Sequence, residues 1–379
     1  MSRRAVWLCL VVVLLAPAVR ATAQAADEFE LAVKPMAEVF FNYHYNASDY
    51  PKWDEDKRTQ RVNGFNEFEV TRAFLGFKAD ITRNFSAKVV LDAHEWGPAL
   101  LQYAWVNYRV LDAFNLRAGV VGTSWIGFLN WAYDYRYVQK TAYELWMQTR
   151  AAFATDGTVT FSRPASETDL GVALLGKFPR GYGSYQVGVY NGEGAANVEV
   201  NAGKACDLRV TVAPAASVEA LKDLSLSIHA RYEKRDTRSS TQVGGLLHMR
   251  YAFMERMRLN VGLGVDTQFT VPFHGARGDD RIRGEDLSFF LDLTVLKGLG
   301  LFFRFDYFDP DLLNNQKKHG YQDEHMLLIG GVSYAFRDDI AMALDYQGGM
   351  YTAEVTDDHG NKTSKAPDQV LFVNWKFGF

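Results

Sequence analysis

The last ten residues of the chain decide the fold: Val370-Leu371-Phe372-Val373-Asn374-Trp375-Lys376-Phe377-Gly378-Phe379. Side chains of a β-strand point alternately to its two faces. The odd-numbered residues 371–379 therefore share one wholly apolar face, whereas Asn374 and Lys376 lie on the other. The segment predicts a strand with one face suited to an apolar environment and one suited to water; the alternative is an edge strand of a soluble sheet.

Alternation of this kind recurs along the chain. Between residues 224 and 233, for example, apolar side chains occupy the even positions and polar ones the odd positions. Turn residues separate the alternating segments. In the second segment the alternation changes phase midway, so the pattern does not decide which of its residues face inward. The pattern predicts about 16 strands, at 31–45, 66–79, 84–96, 99–110, 114–121, 168–178, 182–191, 205–214, 223–234, 241–253, 257–270, 285–297, 299–309, 323–336, 339–352 and 368–379.

The lengths of the links between these segments also alternate. The links after even-numbered segments are compact, whereas most links after odd-numbered segments are long and polar; the short link 96–98 and the Pro/Ala-rich turn 214–222 depart from this rule. Outer-membrane β-barrels have short periplasmic turns and longer external loops. We therefore predict an all-β fold: one transmembrane antiparallel β-barrel with a periplasmic N-terminus. The 14% aromatic content fits an apolar exterior around a wet interior.

The N-terminal region has the pattern of an export signal. Arg3 and Arg4 precede an apolar run at 6–16, and Ala23-Gln24-Ala25 offers a small-residue cleavage site. We expect residues 1–25 to be a signal peptide and 26–379 to be a single barrel domain in the bacterial outer membrane. Cys206 would then be the only cysteine, which excludes an intramolecular disulfide. The net charge of −4 argues against nucleic acid as a partner.

Four stretches carry a resemblance to a known family. They resemble the phosphate-selective porin (O and P) family, and they are Leu101-Gln102-Tyr103-Ala104-Trp105-Val106-Asn107-Tyr108, Leu116-Arg117-Ala118-Gly119, Asp169-Leu170-Gly171-Val172-Ala173-Leu174-Leu175-Gly176 and Tyr185-Gln186-Val187-Gly188-Val189-Tyr190-Asn191-Gly192-Glu193-Gly194. The resemblance implies a 16-stranded, trimeric channel with a loop folded inward after the fifth strand. Anion-specific members of the family carry an arginine just before the Asp-Leu-Gly motif, where this chain has Glu167 and Thr168, so the resemblance does not extend to phosphate specificity.

The link 122–167 follows the fifth predicted strand, and it is unusually aromatic. A helix is predicted where apolar residues recur at helical spacing, at Ala142, Leu145, Trp146, Thr149, Ala152 and Phe153. If the link folds inward and narrows the lumen, its basic residues become candidates for the constriction: Arg136, Lys140, Arg150 and Arg163. The alternative is an outer lid or a surface that contacts a partner.

Charged residues on the predicted inner face are the other candidates for selectivity. The basic ones are Lys88, Arg117, Arg209, Arg231, Arg250, Arg258 and Arg304. The acidic ones are Asp92, Asp207, Asp266, Asp292, Asp306 and Asp345. The basic residues would favour anions if they formed a continuous track. Because the two sets nearly cancel, we favour the alternative that they pair and keep the lumen wet.

These expectations combine into one functional hypothesis. We expect a passive outer-membrane porin, without catalytic residues, cofactor or metal, that admits small hydrophilic solutes through a water-filled channel narrowed by the link 122–167. The alternatives are an anion- or phosphate-selective channel and a barrel sheath that houses a partner such as a multihaem cytochrome. The expected partners are outer-membrane lipid and lipopolysaccharide, the barrel-assembly machinery acting on Phe379, and further copies of the chain in a homotrimer.

Overall fold

The computed structural model describes most of the chain after residue 30. The described residues are 31–48, 52–54, 59–61, 64–93, 99–145, 166–195, 197, 199, 202–234, 238–254, 257–272, 282–309, 324–351, 354–356, 362–364 and 367–379. The predicted signal peptide at 1–25 lies outside them, as does the second half of the helix predicted from Ala142 to Phe153.

Sixteen antiparallel strands close into one barrel, each paired with its neighbours in the sequence. Closure comes from β1, which pairs with both β2 and β16, so that the ends of the chain meet in the sheet. The strands are β1 Ala32–Asn46, β2 Asn66–Asp80, β3 Phe85–Ala93, β4 Leu100–Leu111, β5 Phe114–Gly122, β6 Thr168–Lys177, β7 Gly183–Tyr190, β8 Ala205–Val212, β9 Ser225–Lys234, β10 Arg238–Met254, β11 Met257–Pro272, β12 Ile282–Leu296, β13 Leu299–Asp309, β14 His325–Arg337, β15 Ile340–Tyr351 and β16 Asp368–Gly378.

The predicted barrel is confirmed, and each predicted segment corresponds to one strand with ends that differ by a few residues. The short links lie at one end of the barrel, which we call the short-turn end, and most of the long links lie at the other. Two of the long links carry small hairpins, Lys52–Asp54 with Thr59–Arg61 and Glu354–Thr356 with Lys362–Ser364. An α-helix, α1, spans Ile126–Tyr133 after β5. No helix within the described ranges has the length and apolar character needed to cross a membrane.

The two faces of the sheet differ in the way that the alternation predicts. On β9, Ile228 and Tyr232 point outward and are 56% and 47% exposed, whereas His229 and Arg231 point inward and are 1% and 2% exposed. The apolar outer side chains lie where lipid would be, and the polar inner ones line the lumen. The sheet thus separates an apolar exterior from a polar interior.

A β-bulge explains the change of phase in the second predicted strand. Phe40 of β1 lies opposite Arg72 of β2, whereas the next residue, Phe41, lies opposite Val70, so Thr71 is an extra residue in β2. An extra residue reverses the facing of everything that follows it. Exposed residues of β2 are even-numbered before the bulge and odd-numbered after it. Arg72 consequently points into the lumen.

Candidate functional site

The interior of the barrel is partly filled by the link after β5. Its described portion, residues 123–145, is called the link segment below; it contains α1 and a helical turn at 142–145. Ile126, Leu129, Ala132 and Tyr133 of α1 are buried. Together with further apolar residues they form one buried cluster, which comprises Phe40, Trp125, Ile126, Leu129, Ala132, Tyr133, Tyr135, Tyr137, Val138, Ala142, Tyr143, Leu246, Phe290, Phe302, Phe308, Leu327, Ile329 and Ala343.

Hydrogen bonds join the link segment to inward side chains of several strands. The hydroxyl of Tyr135 lies 3.1 Å from Oδ1 of Asp292 on β12 and 2.9 Å from Oγ of Ser333 on β14. Gln139 donates to Oε1 of Gln347 on β15 at 2.9 Å. At the start of the segment, the backbone N–H of Ser124 donates to Asp207 on β8 at 3.0 Å. These bonds connect the link segment to the half of the wall formed by β8–β15.

Three of the predicted inward arginines contact the link segment as well. Arg209 donates from Nε to the carbonyl of Ser124 at 3.0 Å, and its guanidinium lies over the Phe128 ring. Arg250 donates to the carbonyl of Trp131 at 2.6 Å and lies over its ring. Arg304 lies 4.6 Å from the centre of the Tyr133 ring. Cations stacked on aromatic rings add to the packing of a buried surface, so these residues hold the segment to the wall.

Several inward charges form ion pairs, as the pairing alternative expects. Arg231 lies 3.8 Å from Asp207 and 3.3 Å from Glu233. Arg304 pairs with Asp306 at 2.6 Å. These pairs are buried, which strengthens them relative to pairs at a surface but also makes them costly to break. These ion pairs compensate part of the charge on this half of the lumen.

A cavity of about 580 Å³ remains between the link segment and the wall of β1–β4. Arg72 of β2, Lys88 of β3 and Tyr103 of β4 line it on the wall side. Trp131 and Arg136 line it on the side of the link segment. The cavity therefore has charged side chains on both sides.

Arg72 is the centre of a charge network in this cavity. Its Nε and Nη2 donate to Oδ2 of Asp92 at 2.8 and 2.6 Å, and Nη2 also donates to Oε2 of Glu167 at 3.0 Å. The hydroxyl of Tyr103 donates to the other oxygen of Glu167 at 3.1 Å. Across the cavity, Arg136 pairs with Glu144 at 3.1 Å. Arg72 and Tyr103 were not among the predicted site residues, because the bulge conceals the facing of Arg72 and an aromatic residue carries no charge signal.

Glu167 and Lys140 are among the titratable groups of the link, outside the strands, whose pKa values are shifted. Burial raises the pKa of Glu167, but the charges of Arg72 and Arg136 outweigh burial and hold the pKa below its usual range. Burial and the neighbouring Arg136 lower the pKa of Lys140 to about 8. Glu167 is therefore ionised at neutral pH, whereas Lys140 loses its charge in mildly alkaline solution.

We expect ion selectivity to depend on pH through Lys140. Below its pKa of about 8 Lys140 is charged, and above it the link loses one cation. The preference for anions over cations should therefore fall between about pH 6.5 and about pH 9.5. Reversal potentials in a KCl gradient measure this change. Lys140→Arg keeps its charge throughout the range and should abolish the change; an equal change in this variant would show that another group titrates.

A second cavity of about 630 Å³, called the recess below, lies at the short-turn end of β2–β5. Lys78, Trp105, Asn107, Arg109 and Arg117 are among the residues that line it. The guanidinium of Arg117 lies 4.2 Å from the centre of the Trp105 ring. Arg117 thus points inward, as predicted, and lines the recess. The recess is on the side of the lumen that the link segment does not fill.

The remaining predicted site residues lie elsewhere. Asp266 is buried on β11, and Arg258 is exposed at the short-turn end of the same strand. Arg150 and Arg163 lie outside the described residues. Within the described ranges, no group of three or more His, Cys, Asp or Glu side chains could hold a metal ion.

Solved structures share this architecture. An anion-selective porin from Comamonas acidovorans matches with a TM-score of 0.60 and 12% identity, over 92% of this chain and 100% of that chain. The outer membrane channel DcaP of Acinetobacter baumannii matches with a TM-score of 0.54 and 12% identity, over 93% and 99%. OmpT, an outer membrane protein of Vibrio cholerae in its trimer form, matches with a TM-score of 0.56 and 9% identity, over 93% and 100%. The fold is that of an outer-membrane porin.

The comparisons support the predicted porin fold but do not identify a family. No protein-family model matches the sequence, and no curated protein matches it at a significant level. At identities of 9–12%, the likeness to solved structures concerns the fold alone. The resemblance to phosphate-selective porins O and P is thus confirmed as a porin fold and not as that particular family.

Proposed function

We propose that the protein is a porin of the bacterial outer membrane through which small hydrophilic solutes and ions diffuse passively. One observation carries the proposal: two cavities with charged side chains in their linings, of about 580 and 630 Å³, remain in a barrel whose outside is apolar. A barrel with an apolar exterior is stable in lipid, and a polar interior is filled with water. Solutes would cross on the side of β1–β5, because the link segment occupies the side of β8–β15.

Selection in this proposal combines size with an electric field. The link segment would narrow the lumen, and solutes wider than the remaining passage would be excluded. Arg72 and Lys88 on the wall, Arg136 on the link segment and carboxylates such as Glu167 all line the cavity, so charges of both signs would act on a passing ion. Walls of low dielectric constant strengthen such a field. No bond is made or broken, and the proposed function needs neither a catalytic residue nor a cofactor.

The partner-filled sheath is the competing function. A folded partner needs a wide, empty lumen, whereas here the link segment packs through an extensive buried cluster against the inner wall. The two cavities have the volume of small solutes and not of a protein domain. The described interior therefore favours the porin, and the experiment below separates the two functions.

The test is conductance of the purified, refolded protein in a planar bilayer with a KCl gradient. A porin conducts steadily without any partner. The reversal potential then decides between an anion-selective channel and a charge-compensated one. Electrical silence from verified folded protein, together with haem that co-purifies from native membranes, would favour the sheath instead.

We also propose that the porin is a homotrimer in contact through β2–β5. Alanines on the outer face of these strands pair across the sheet, as Ala73 with Ala93 and Ala79 with Ala87, and Ala104 and Ala118 lie on the same face of β4 and β5, among larger exposed apolar side chains. We infer that large side chains of one barrel pack against the alanines of the next. The trimer form of OmpT supports this number of copies. Lipid and lipopolysaccharide would cover the rest of the exterior.

A bulky residue on this surface should dissociate the trimer. Ala104→Trp places a large ring where the surface has a small side chain, and we expect the variant to migrate as a monomer in unheated SDS gels. Leu263→Trp is the matched control, because Leu263 lies on β11 and is already 45% exposed on the outside. If both variants remain trimeric, the contact lies elsewhere on the barrel.

Phe379 is the proposed signal for the barrel-assembly machinery. Its backbone N–H donates to the carbonyl of Ala37 at 3.0 Å, and Ala37 donates back at 2.9 Å, so the last residue still belongs to the sheet. Its side chain nevertheless is 80% exposed. An exposed terminal ring is accessible to an assembly factor before the barrel closes.

A further inference from the structure

We propose that the recess is a binding site for a small oxyanion, a carboxylate or phosphate group carried by a solute, with Arg117 as its principal donor. The inference rests on the proposed porin function and names a solute class that the channel would favour. It concerns the short-turn end of β2–β5 and not the constriction around Arg72.

The charge of the recess favours an anion. Four basic residues line it, Lys78, Arg83, Arg109 and Arg117, against one acidic residue, Asp80. Lys78 lies 3.4 Å from Asp80, and Arg109 donates to the carbonyl of Arg83 at 2.7 Å. Among the described residues, no carboxylate lies within ion-pair distance of Arg117. The recess thus carries an excess of positive charge, to which Arg117 contributes without a carboxylate partner.

The geometry of Arg117 suits an oxyanion. Its guanidinium is held over the Trp105 ring, at 4.2 Å from the ring centre. A guanidinium stacked by one face keeps the N–H groups at its edge free to donate in its own plane, and this planar fork matches carboxylate and phosphate oxygens. Trp105 is 8% exposed and therefore fixed by its own packing. The donor is held in place before the ligand arrives.

Two polar atoms at this site have no hydrogen-bond partner among the described residues, Nε of Arg117 and Oδ1 of Asn107. Arg117 and Asn107 lie directly opposite each other on β5 and β4. Buried polar atoms without a partner are unfavourable, so a ligand or water that reaches them is stabilised. Rotation of the Asn107 amide by half a turn presents its NH2 group to the same anion as Arg117.

Lys88 connects the recess to the constriction. It lies opposite Trp105 in the sheet, and its Nζ lies 4.5 Å from the centre of the Tyr103 ring in the neighbouring cavity. Lys88 and Arg117 therefore flank Trp105 from two adjacent strands. An anion that passes the constriction would meet Lys88 first and Arg117 next. Binding in the recess would retain organic anions longer than chloride.

The first experiment measures block of the KCl current by sodium citrate or sodium phosphate added to the short-turn side of a planar bilayer. We expect saturable block of the unmodified channel, and a half-blocking concentration that rises roughly tenfold or more in Arg117→Gln, the loss of one charge-assisted interaction. Arg117→Lys should give an intermediate value, because it keeps the charge but not the fork. Block by citrate alone, phosphate alone or both identifies the group that the site accepts.

Lys222→Gln is the matched control. Lys222 is exposed at the short-turn end, pairs with Glu219 at 2.7 Å and does not line the recess. We expect its half-blocking concentration to be unchanged. Equal increases of the half-blocking concentration in Arg117→Gln and Lys222→Gln would show an effect of general surface charge and would overturn the proposal. Absence of saturable block by both anions would also overturn it.

A second measurement keeps the proposal testable if the protein does not conduct. Isothermal titration calorimetry of the folded protein in detergent, with citrate or phosphate as titrant, reports binding directly. Binding that is lost in Arg117→Gln but retained in Lys222→Gln would support the site even where the proposed channel function fails. Conductance without binding or block would leave the porin standing and remove the site.

Discussion

Tyr135→Ala is expected to raise the single-channel conductance several-fold. The ring of Tyr135 packs 4.5 Å from that of Phe302, and its hydroxyl contacts Asp292 and Ser333. Truncating a large buried aromatic side chain costs about 3–5 kcal/mol, and here the loss falls on the attachment of the link segment to β12–β14. A detached segment no longer confines the passage to one side of the lumen, so the open cross-section increases.

Tyr135→Phe separates packing from hydrogen bonding. It keeps the ring and removes only the hydroxyl, which we expect to change conductance little. Both variants are compared by single-channel recordings and by the mobility of the unheated barrel in SDS gels, which reports whether the sheet has closed. An unchanged conductance in Tyr135→Ala, with a closed barrel, would mean that the link segment does not limit the current.

Arg72→Met is expected to destabilise the barrel and to make the channel more selective for cations. The Arg72 side chain is 8% exposed and that of Asp92 is 0% exposed. Breaking a buried ion pair by removal of one partner costs about 3–5 kcal/mol, because the other charge stays in a poorly solvated place. Asp92 and Glu167 would lose the cation that lies between them, and the field at the cavity would become more negative. Urea unfolding in lipid and the reversal potential in a KCl gradient measure the two effects.

The triple variant Arg72→Met, Asp92→Asn, Glu167→Gln is the corresponding control. It removes the carboxylates together with the arginine, so most of the lost stability should return. Its selectivity should shift toward anions, opposite to Arg72→Met, because the network of net charge −1 becomes neutral in the triple variant and doubly negative in Arg72→Met. If Arg72→Met changed neither the stability nor the reversal potential, the network would have no role in the constriction.

Most of the barrel is predictable from the sequence, because a strand between lipid and water must alternate. The segment 224–233 shows this: every outward residue is apolar or small and every inward one is polar, and β9 follows that pattern. Helix α1 was not predicted, although Ile126, Leu129 and Tyr133 have helical spacing. The helix was instead predicted from Ala142 to Phe153, and the structure describes only the first turn of that stretch.

The site was harder to predict than the fold for a physical reason. The alternation gives the facing of Arg209 and Arg250 correctly, but their partners Ser124 and Trp131 are distant in the sequence. Contacts across a lumen depend on how the link folds, and no periodic pattern encodes that. Arg72 is hidden by a single extra residue in β2, and a bulge leaves little trace in the sequence.

Because the link segment is attached to β8–β15, the proposed passage lies to one side of the barrel axis. Inward residues of those strands are constrained twice, by the sheet and by the segment that packs on them, and a change there disturbs folding. Inward residues of β2–β5 border the two cavities and, apart from the network around Arg72, have fewer contacts with the link segment. Substitutions that adapt this porin to new nutrients are therefore expected on β2–β5. The wall formed by β8–β15 should vary little, because changes there disturb folding.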